Sequence, residues 1–241
     1  MKLKRIIKYV FLLVLLGSLG FLYGFSNTRN TQKVIKEGEV QFDSGEGYFL
    51  TQSMVNKLLI QNNERVQKQA KSVIDLYQLE KKVLENPYIE KASLFITIDG
   101  TLNSLIKQRQ PIARIMTSNS TYYIDSHAVK VPVSEYYSAR VPLITGVDND
   151  KDLAELMRLL NKIVGDDFLH NEIIGIHLQS TNEYVLTVRS GDYKIEFGKL
   201  VEIENKITKL KAFYNKVFLD STIHTYKTIN VTYHNQVVGV K

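Results

Sequence analysis

Residues 79–115 read LEKKVLENPYIEKASLFITIDGTLNSLIKQRQPIARI, and their order decides how this part of the chain folds. Leu79, Val83 and Leu84, with Leu76 just upstream, recur at helical spacing and open the stretch as an amphipathic helix. Asn86-Pro87 stops it, because the residue before a proline avoids the α region. Ala92 to Ile98 then reads as a strand. Asp99-Gly100 is a hairpin turn, and Thr101 to Arg109 returns as the partner strand. Leu79, Val83, Leu84, Ile89 and Ile98 are the expected core of this unit, with Pro87 setting the helix-to-strand turn.

Upstream, Val34 to Phe42 reads as extended, and Thr51 is an N-cap for a helix with Met54, Val55, Leu58 and Leu59 on one face. Asn62 to Ser72 is polar and reads as a loop or a helix extension. Residues 34–110 thus have the order β-α-α-β-β. Further upstream, Tyr9 to Thr28 contains no charged residue. Twenty helical residues span about 30 Å, the thickness of a bilayer core. Tyr9, Tyr23 and Phe25 lie where interfacial aromatics sit. The competing reading is a cleaved signal peptide with Ser18-Leu19-Gly20 as its site, but the apolar run continues past it. Ser26 to Lys33 is polar and reads as a tether, with residues 29–33 as the linker proper. Of the 31 Lys and Arg, Lys2, Lys4, Arg5 and Lys8 lie in the first eight residues. That density places a tail of residues 1–8 in the cytoplasm and the body outside, against Arg29, Lys33 and Lys36 on the far side. The other 27 basic residues face 25 acidic ones, so the body is near neutral and no basic face for nucleic acid is expected.

Downstream, residues 111–241 are mostly strands. Ile112 to Met116 and Tyr122 to Ile124 flank the turn Thr117-Ser118-Asn119-Ser120, and Val129 to Val133 and Val141 to Ile144 follow. Asp152 opens a helix with Leu153, Leu156, Met157, Leu160 and Ile163 on its apolar face, ended by Gly165. Ile173 to Leu178, Tyr184 to Arg189 and Tyr193 to Phe197 form a meander. Leu200, Ile203, Ile207, Leu210, Tyr214 and Val217 mark a long amphipathic helix, read as core-facing because its stripe is short for a coiled coil. Lys227 to Tyr233 and Gln236 to Val240 are strands joined at His234-Asn235.

Motifs for chemistry are lacking. There is no cysteine, which removes thiolate metal sites and cysteine nucleophiles. His127, His170, His177, His224 and His234 show no close metal-ligand spacing. Asp148, Asp150 and Asp152 resemble the start of a calcium loop, yet Leu153 and Leu159 occupy the positions needing glycine and glutamate, so helix capping is the better reading. No GxSxG, P-loop or GxGxxG is present. The expectation is a protein without catalytic, cofactor or metal residues, a membrane-anchored enzyme or carbohydrate-binding protein acting on the cell wall being the alternative. A third possibility, an export accessory or chaperone, usually needs repeated units of the first type or a terminal barrel.

Several segments together resemble the FtsQ/DivIB family of bacterial cell-division proteins. Phe49-Leu50-Thr51 opens the first helix as in that family, Leu79 to Ala92 matches its helix, NP stop and entering strand, and Gln108 to Ile115 matches the end of its first domain. Tyr122 to Ser134, Ala139 to Gly146, Ile195 to Gly198 and Thr228 to Gly239 resemble segments of its second domain. His127-Ala128 stands at a turn where the family usually has glycine, and Asn62 to Ser72 is longer and more polar than expected. The resemblance implies an α+β chain with one N-terminal transmembrane helix at 9–28, a POTRA domain at 34–110, and a mostly antiparallel β domain with amphipathic helices at 111–241. It implies a scaffold at the division septum, single-pass in the cytoplasmic (inner) membrane with its body in the periplasm. It also implies binding to FtsB-like and FtsL-like small coiled-coil membrane proteins, and to further divisome proteins through the POTRA domain.

Thr228 to Tyr233 alternates as a strand does, and Gln236 to Val240 can pair beside it with no later segment to cover it. An uncovered edge accepts an added strand; the competing reading has the helix at Leu200 to Val217, or a loop, covering it. In the family this region is where an FtsB-like segment docks. The expected partner-binding residues are Val231, Tyr233, Asn235, Gln236, Val237, Val238 and Gly239, with Tyr233 as aromatic anchor.

Overall fold

The computed structural model describes residues 2–43, 49–61, 64–65, 70–219 and 222–241. The chain divides into two compact units, Met1–Gln108 and Arg109–Lys241.

The first unit opens with helix α1, Lys2–Thr31. Its stretch Ile6–Thr31 is long and apolar enough to cross a membrane. The expected tether does not form where it was placed, because the helix runs on to Thr31. No proline or glycine interrupts residues 25–31, and the hydroxyls of Thr28 and Thr31 bond back to the carbonyls of Gly24 and Thr28. Then follow β1 (Lys36–Phe42), α2 (Gln52–Leu58), a two-residue hairpin of β2 (Ile60–Gln61) and β3 (Glu64–Arg65), α3 (Leu76–Leu84), β4 (Ile89–Ile96) and β5 (Thr101–Gln108). Within the polar stretch 62–72, residues 62–63 and 66–69 lie outside the described residues.

The sheet has the order β1-β5-β4, with β1 parallel and β4 antiparallel to β5. Thr51 caps α2 by accepting from Met54 N, and Asp75 caps α3 by accepting from Gln78 N. Val55, Leu59, Leu79, Val83 and Ile89 are buried. The buried Gln108 amide accepts from Phe49 N and Leu50 N and donates to Leu50 O, which fixes the entry to α2.

Two expected core residues are not core. Leu84 is 43% exposed and Ile98 is 88% exposed. Leu84 lies about 100° round the helix from Val83, off the buried face. Ile98 stands in the turn between β4 and β5.

The second unit contains β6 (Pro111–Met116), β7 (Thr121–Asp125), β8 (Lys130–Pro132), β9 (Leu143–Thr145), α4 (Asp150–Val164), α5 (Asp167–Glu172), β10 (Ile173–Leu178), β11 (Tyr184–Val188), β12 (Lys194–Gly198), α6 (Ile203–Leu219), β13 (Thr228–Asn230) and β14 (Val238–Val240). Its nine strands form one sheet ordered β14-β13-β12-β11-β10-β9-β6-β7-β8. Five neighbouring pairs are antiparallel; β6–β9, β9–β10 and β12–β13 are parallel. The chain is α+β with a mixed, mostly antiparallel sheet.

Helix α4 starts two residues earlier than Asp152, because Asn149 is the cap and accepts from Asp152 N at 2.9 Å. The acidic run at Asp150 and Asp152 therefore sits in a helical first turn, where negative charge suits the dipole. Leu153, Leu156, Met157, Leu160 and Ile163 are buried in one core with Ile115, Ile144, Ile176 and Phe197. A fully buried side chain of this size contributes about 1.5–3 kcal/mol. Helix α5 has no counterpart in the sequence reading; its six residues are too short for a periodic signal, though Asp166 caps it. Ala128 adopts φ +61°, so the turn keeps a left-handed residue without glycine, held by Asp125 Oδ1 accepting from His127 N and Val129 N.

Candidate functional site

The β14 edge of the nine-stranded sheet begins with a crossover. β12 and β13 are parallel, so the chain must cross back between them, and α6 makes that crossing. Ile203, Leu210, Tyr214 and Val217 of α6 are buried, as are Ile229 and Val231. Lys206 is also buried; its ammonium donates to Phe197 O at 2.9 Å and Lys199 O at 2.8 Å. Burial pushes that ammonium below the usual lysine range. Elsewhere in the unit, Glu172 accepts from the buried Tyr193 hydroxyl at 3.1 Å, and burial pushes that hydroxyl up to about 12.

Strands β13 and β14 are shorter than the sequence suggests, and residues 231–237 form a loop between them. The cause is local and tertiary together. Asn230 Oδ1 accepts from Thr232 N at 2.9 Å and from Thr232 Oγ1 at 2.6 Å, an alternative to the sheet ladder. Lys209 of α6 then donates to Tyr233 O at 2.5 Å and His234 O at 3.0 Å. His234 Nδ1 lies 3.4 Å from Glu202. Tyr233, Asn235, Gln236 and Val237 are thus loop residues, and only Val238 and Gly239 of the expected set lie in a strand. Val231 is fully buried, so its side chain supports the site from the core and lines no open surface. Tyr233 is 49% exposed.

The direction of the backbone groups follows from the ladder. Lys194 N donates to Lys227 O and Val231 N to Glu196 O, so the parallel pairing uses the N–H and C=O of Ile229. Backbone groups alternate along a strand, so Thr228 and Asn230 point theirs at β14. Their register partners Val240 and Val238 therefore point inward, and Lys227 N indeed donates to Val240 O. Gly239 is left with N–H and C=O directed away from the sheet.

One face of β14 is covered. A Cβ on Gly239 would stand 2.4 Å from Tyr226 Cε1 and 3.4 Å from Phe213 Cζ, so no side chain fits there. Tyr226 in turn packs edge-on against Phe213 of α6. The competing reading is half right: α6 reaches over one face of the strand through Phe213, while β14 has β13 as its single sheet neighbour among the described residues. Lys209 and Tyr226 were missed by sequence reasoning. Neither carries a local signal, since both act on chain remote from themselves.

The family model described as FtsQ/DivIB, C-terminal related matches residues 110–240, more than half of the chain and nearly all of its second unit. The chain belongs to the FtsQ/DivIB family. Its N-terminal stretch Ile6–Thr31 has the length and apolar composition of a membrane-crossing helix. A curated relative, the cell division protein FtsQ of Geotalea daltonii, is 22% identical over 180 residues, which cover 69% of this chain and 63% of the relative. The match thus spans less than two thirds of that relative's length. The solved extracytoplasmic domain of the cell division protein DivIB from Geobacillus stearothermophilus, in its trans isomer, superposes with a TM-score of 0.32 and 12% identity. That match covers 48% of this chain and 97% of the other.

Proposed function

We propose that this FtsQ/DivIB family member is a non-enzymatic scaffold of the division septum, with its body on the periplasmic side of the membrane. Its second unit receives an extended segment of an FtsB-like coiled-coil protein, accompanied by an FtsL-like one, as an added strand on β14. The POTRA-like first unit, residues 34–110, recruits other divisome proteins. The observation that carries the strand-addition reading is the outward N–H and C=O of Gly239 on a strand with one neighbour. Main-chain bonds give such a contact its adhesion, and side chains beside the edge give its register. Val238 and Val240 stand on the face opposite Tyr226, and the half-exposed Tyr233 of the preceding loop is the anchor.

Capture of the coiled-coil partner by the full chain is the test. Tyr233→Ala is expected to cost about 2 kcal/mol or more, roughly a thirtyfold loss of affinity. Its melting temperature should stay unchanged, because the ring is half exposed and Lys209 holds the backbone carbonyl, which the variant keeps. Wild-type capture by a folded Tyr233→Ala protein would move the partner away from this edge.

A further inference from the structure

Ile98, the residue expected in the core and found 88% exposed, is placed by the structure beside the end of the membrane helix. An open cleft of about 830 Å³ is lined by Leu22, Tyr23, Phe25, Arg29 and Lys33, and across from them by Ile98. Lys33 Nζ donates to Ile98 O at 2.9 Å, and Lys36 N donates to Gly100 O at 2.9 Å, so the β4–β5 turn is fastened to the chain leaving α1. The turn is ordered from within. The Asp99 carboxylate accepts from the hydroxyls of Thr97 at 2.5 Å and Thr101 at 2.6 Å, which hold it down at about 2. The carboxylate stays ionised beside Lys36, and the cleft lining carries the two cations Arg29 and Lys33.

Helix α1 has 30 residues, about 45 Å, against a hydrocarbon core of about 30 Å. With Tyr9 to Thr28 crossing the core, Tyr23 and Phe25 lie in its last two turns, toward the boundary where aromatic rings prefer to sit. Arg29 lies one turn above, about 6 Å further along the axis, at headgroup level. A turn tip that shares a cleft with Leu22, Tyr23 and Phe25 stands at that same level. An exposed isoleucine in water has no compensating contact, whereas at the acyl–headgroup boundary it buries apolar area while Arg29 and Lys33 face lipid phosphate.

We infer that the β4–β5 turn of the first unit is a membrane-contact site: Ile98 enters the boundary of the bilayer while Arg29 and Lys33 bind anionic lipid headgroups in the cleft. The contact holds the first unit against the membrane from which α1 emerges. It rests on the reading of α1 as a membrane span, and the experiment separates the two.

The chain has no cysteine, so single labelling sites are available without background. The full-length protein is reconstituted in vesicles of phosphatidylcholine alone or with phosphatidylglycerol, with an environment-sensitive fluorophore on Ile98→Cys, Tyr77→Cys or Leu16→Cys. Tyr77 is 70% exposed on α3 and serves as the water-facing control. Leu16 reports on the span itself. The Ile98 label is expected to be quenched by lipid-borne quenchers and the Tyr77 label not. Enrichment of phosphatidylglycerol around the Ile98 label should fall about fivefold with each of Arg29→Gln and Lys33→Gln. A lipid-quenched Leu16 label with an Ile98 label as water-exposed as Tyr77 overturns the contact and leaves the anchor standing. A Leu16 label in water overturns the anchor, and the contact with it. Equal Ile98 quenching in neutral and anionic vesicles overturns the assignment to anionic headgroups.

Discussion

The two edges of the nine-stranded sheet, β8 and β14, are each three residues long and each has one neighbour in the sheet. They differ in what their outward backbone groups offer. At β8, Asp125 N donates to Val129 O in register with the β7–β8 ladder, so Tyr123 and Val131 face each other with bonded groups. By alternation Lys130 and Pro132 point outward, and a proline has no N–H to give. At β14 the outward residue is Gly239, whose N–H and C=O are both intact. Proline on the solvent side of an edge strand blocks pairing with another chain. One edge of this sheet thus presents a proline outward, and the other a glycine.

The largest effect that tests this difference comes from moving the proline. Val238→Pro deletes a donor that faces β13, so it should loosen β14 itself. Partner capture is expected to fall a hundredfold or more, and the melting temperature by about 2–4 °C for each kcal/mol lost. Val237→Pro, one residue earlier, falls in the loop before β14 and outside the β13–β14 ladder. It should lower capture at least tenfold while the melting temperature moves little. If both variants lose stability equally, the alternation assigned to this edge is wrong.

A smaller effect probes why a glycine stands at the β14 edge. Gly239→Ala drives a methyl group into the Tyr226 ring and should destabilise the second unit by about 1–3 kcal/mol. Adding Tyr226→Ala should recover part of that loss in a thermal melt, because the obstacle is gone. No recovery would show that the ring does not set the position of β14.

The smallest effect is at the β8 edge. Pro132→Thr restores an outward donor to β8 and should change stability by no more than about 0.5 kcal/mol. Sedimentation at rising concentration should then reveal more self-association than the wild type shows, with capture of the coiled-coil partner unchanged. Lost capture in this variant would place the partner on β8 instead.

Local patterns carried much of the architecture. Thr51 caps the first helix of the globular part of the first unit, and Asp99-Gly100 turns between β4 and β5, as short-range chemistry requires. The apolar face of α4 was legible because it repeats over fifteen residues, whereas α5 offers six. The ends of β13 and β14 were not legible. Thr228 to Tyr233 alternates in sequence, but Asn230 and Lys209 draw the chain off the ladder after three residues.

By itself the sequence determined the apolar N-terminal stretch, the cap at Thr51, the hairpin and the family resemblance, because each depends on residues close together along the chain. Only the tertiary structure decided that Ile98 faces outward beside the end of α1 and that Val231 is core. It alone decided that Pro132 and Gly239 both direct their backbone outward. The physical reason is that the alternation of N–H and C=O along a strand has two possible phases. The phase is set by bonds to the next strand inward, made at β12 for one edge and at β7 for the other.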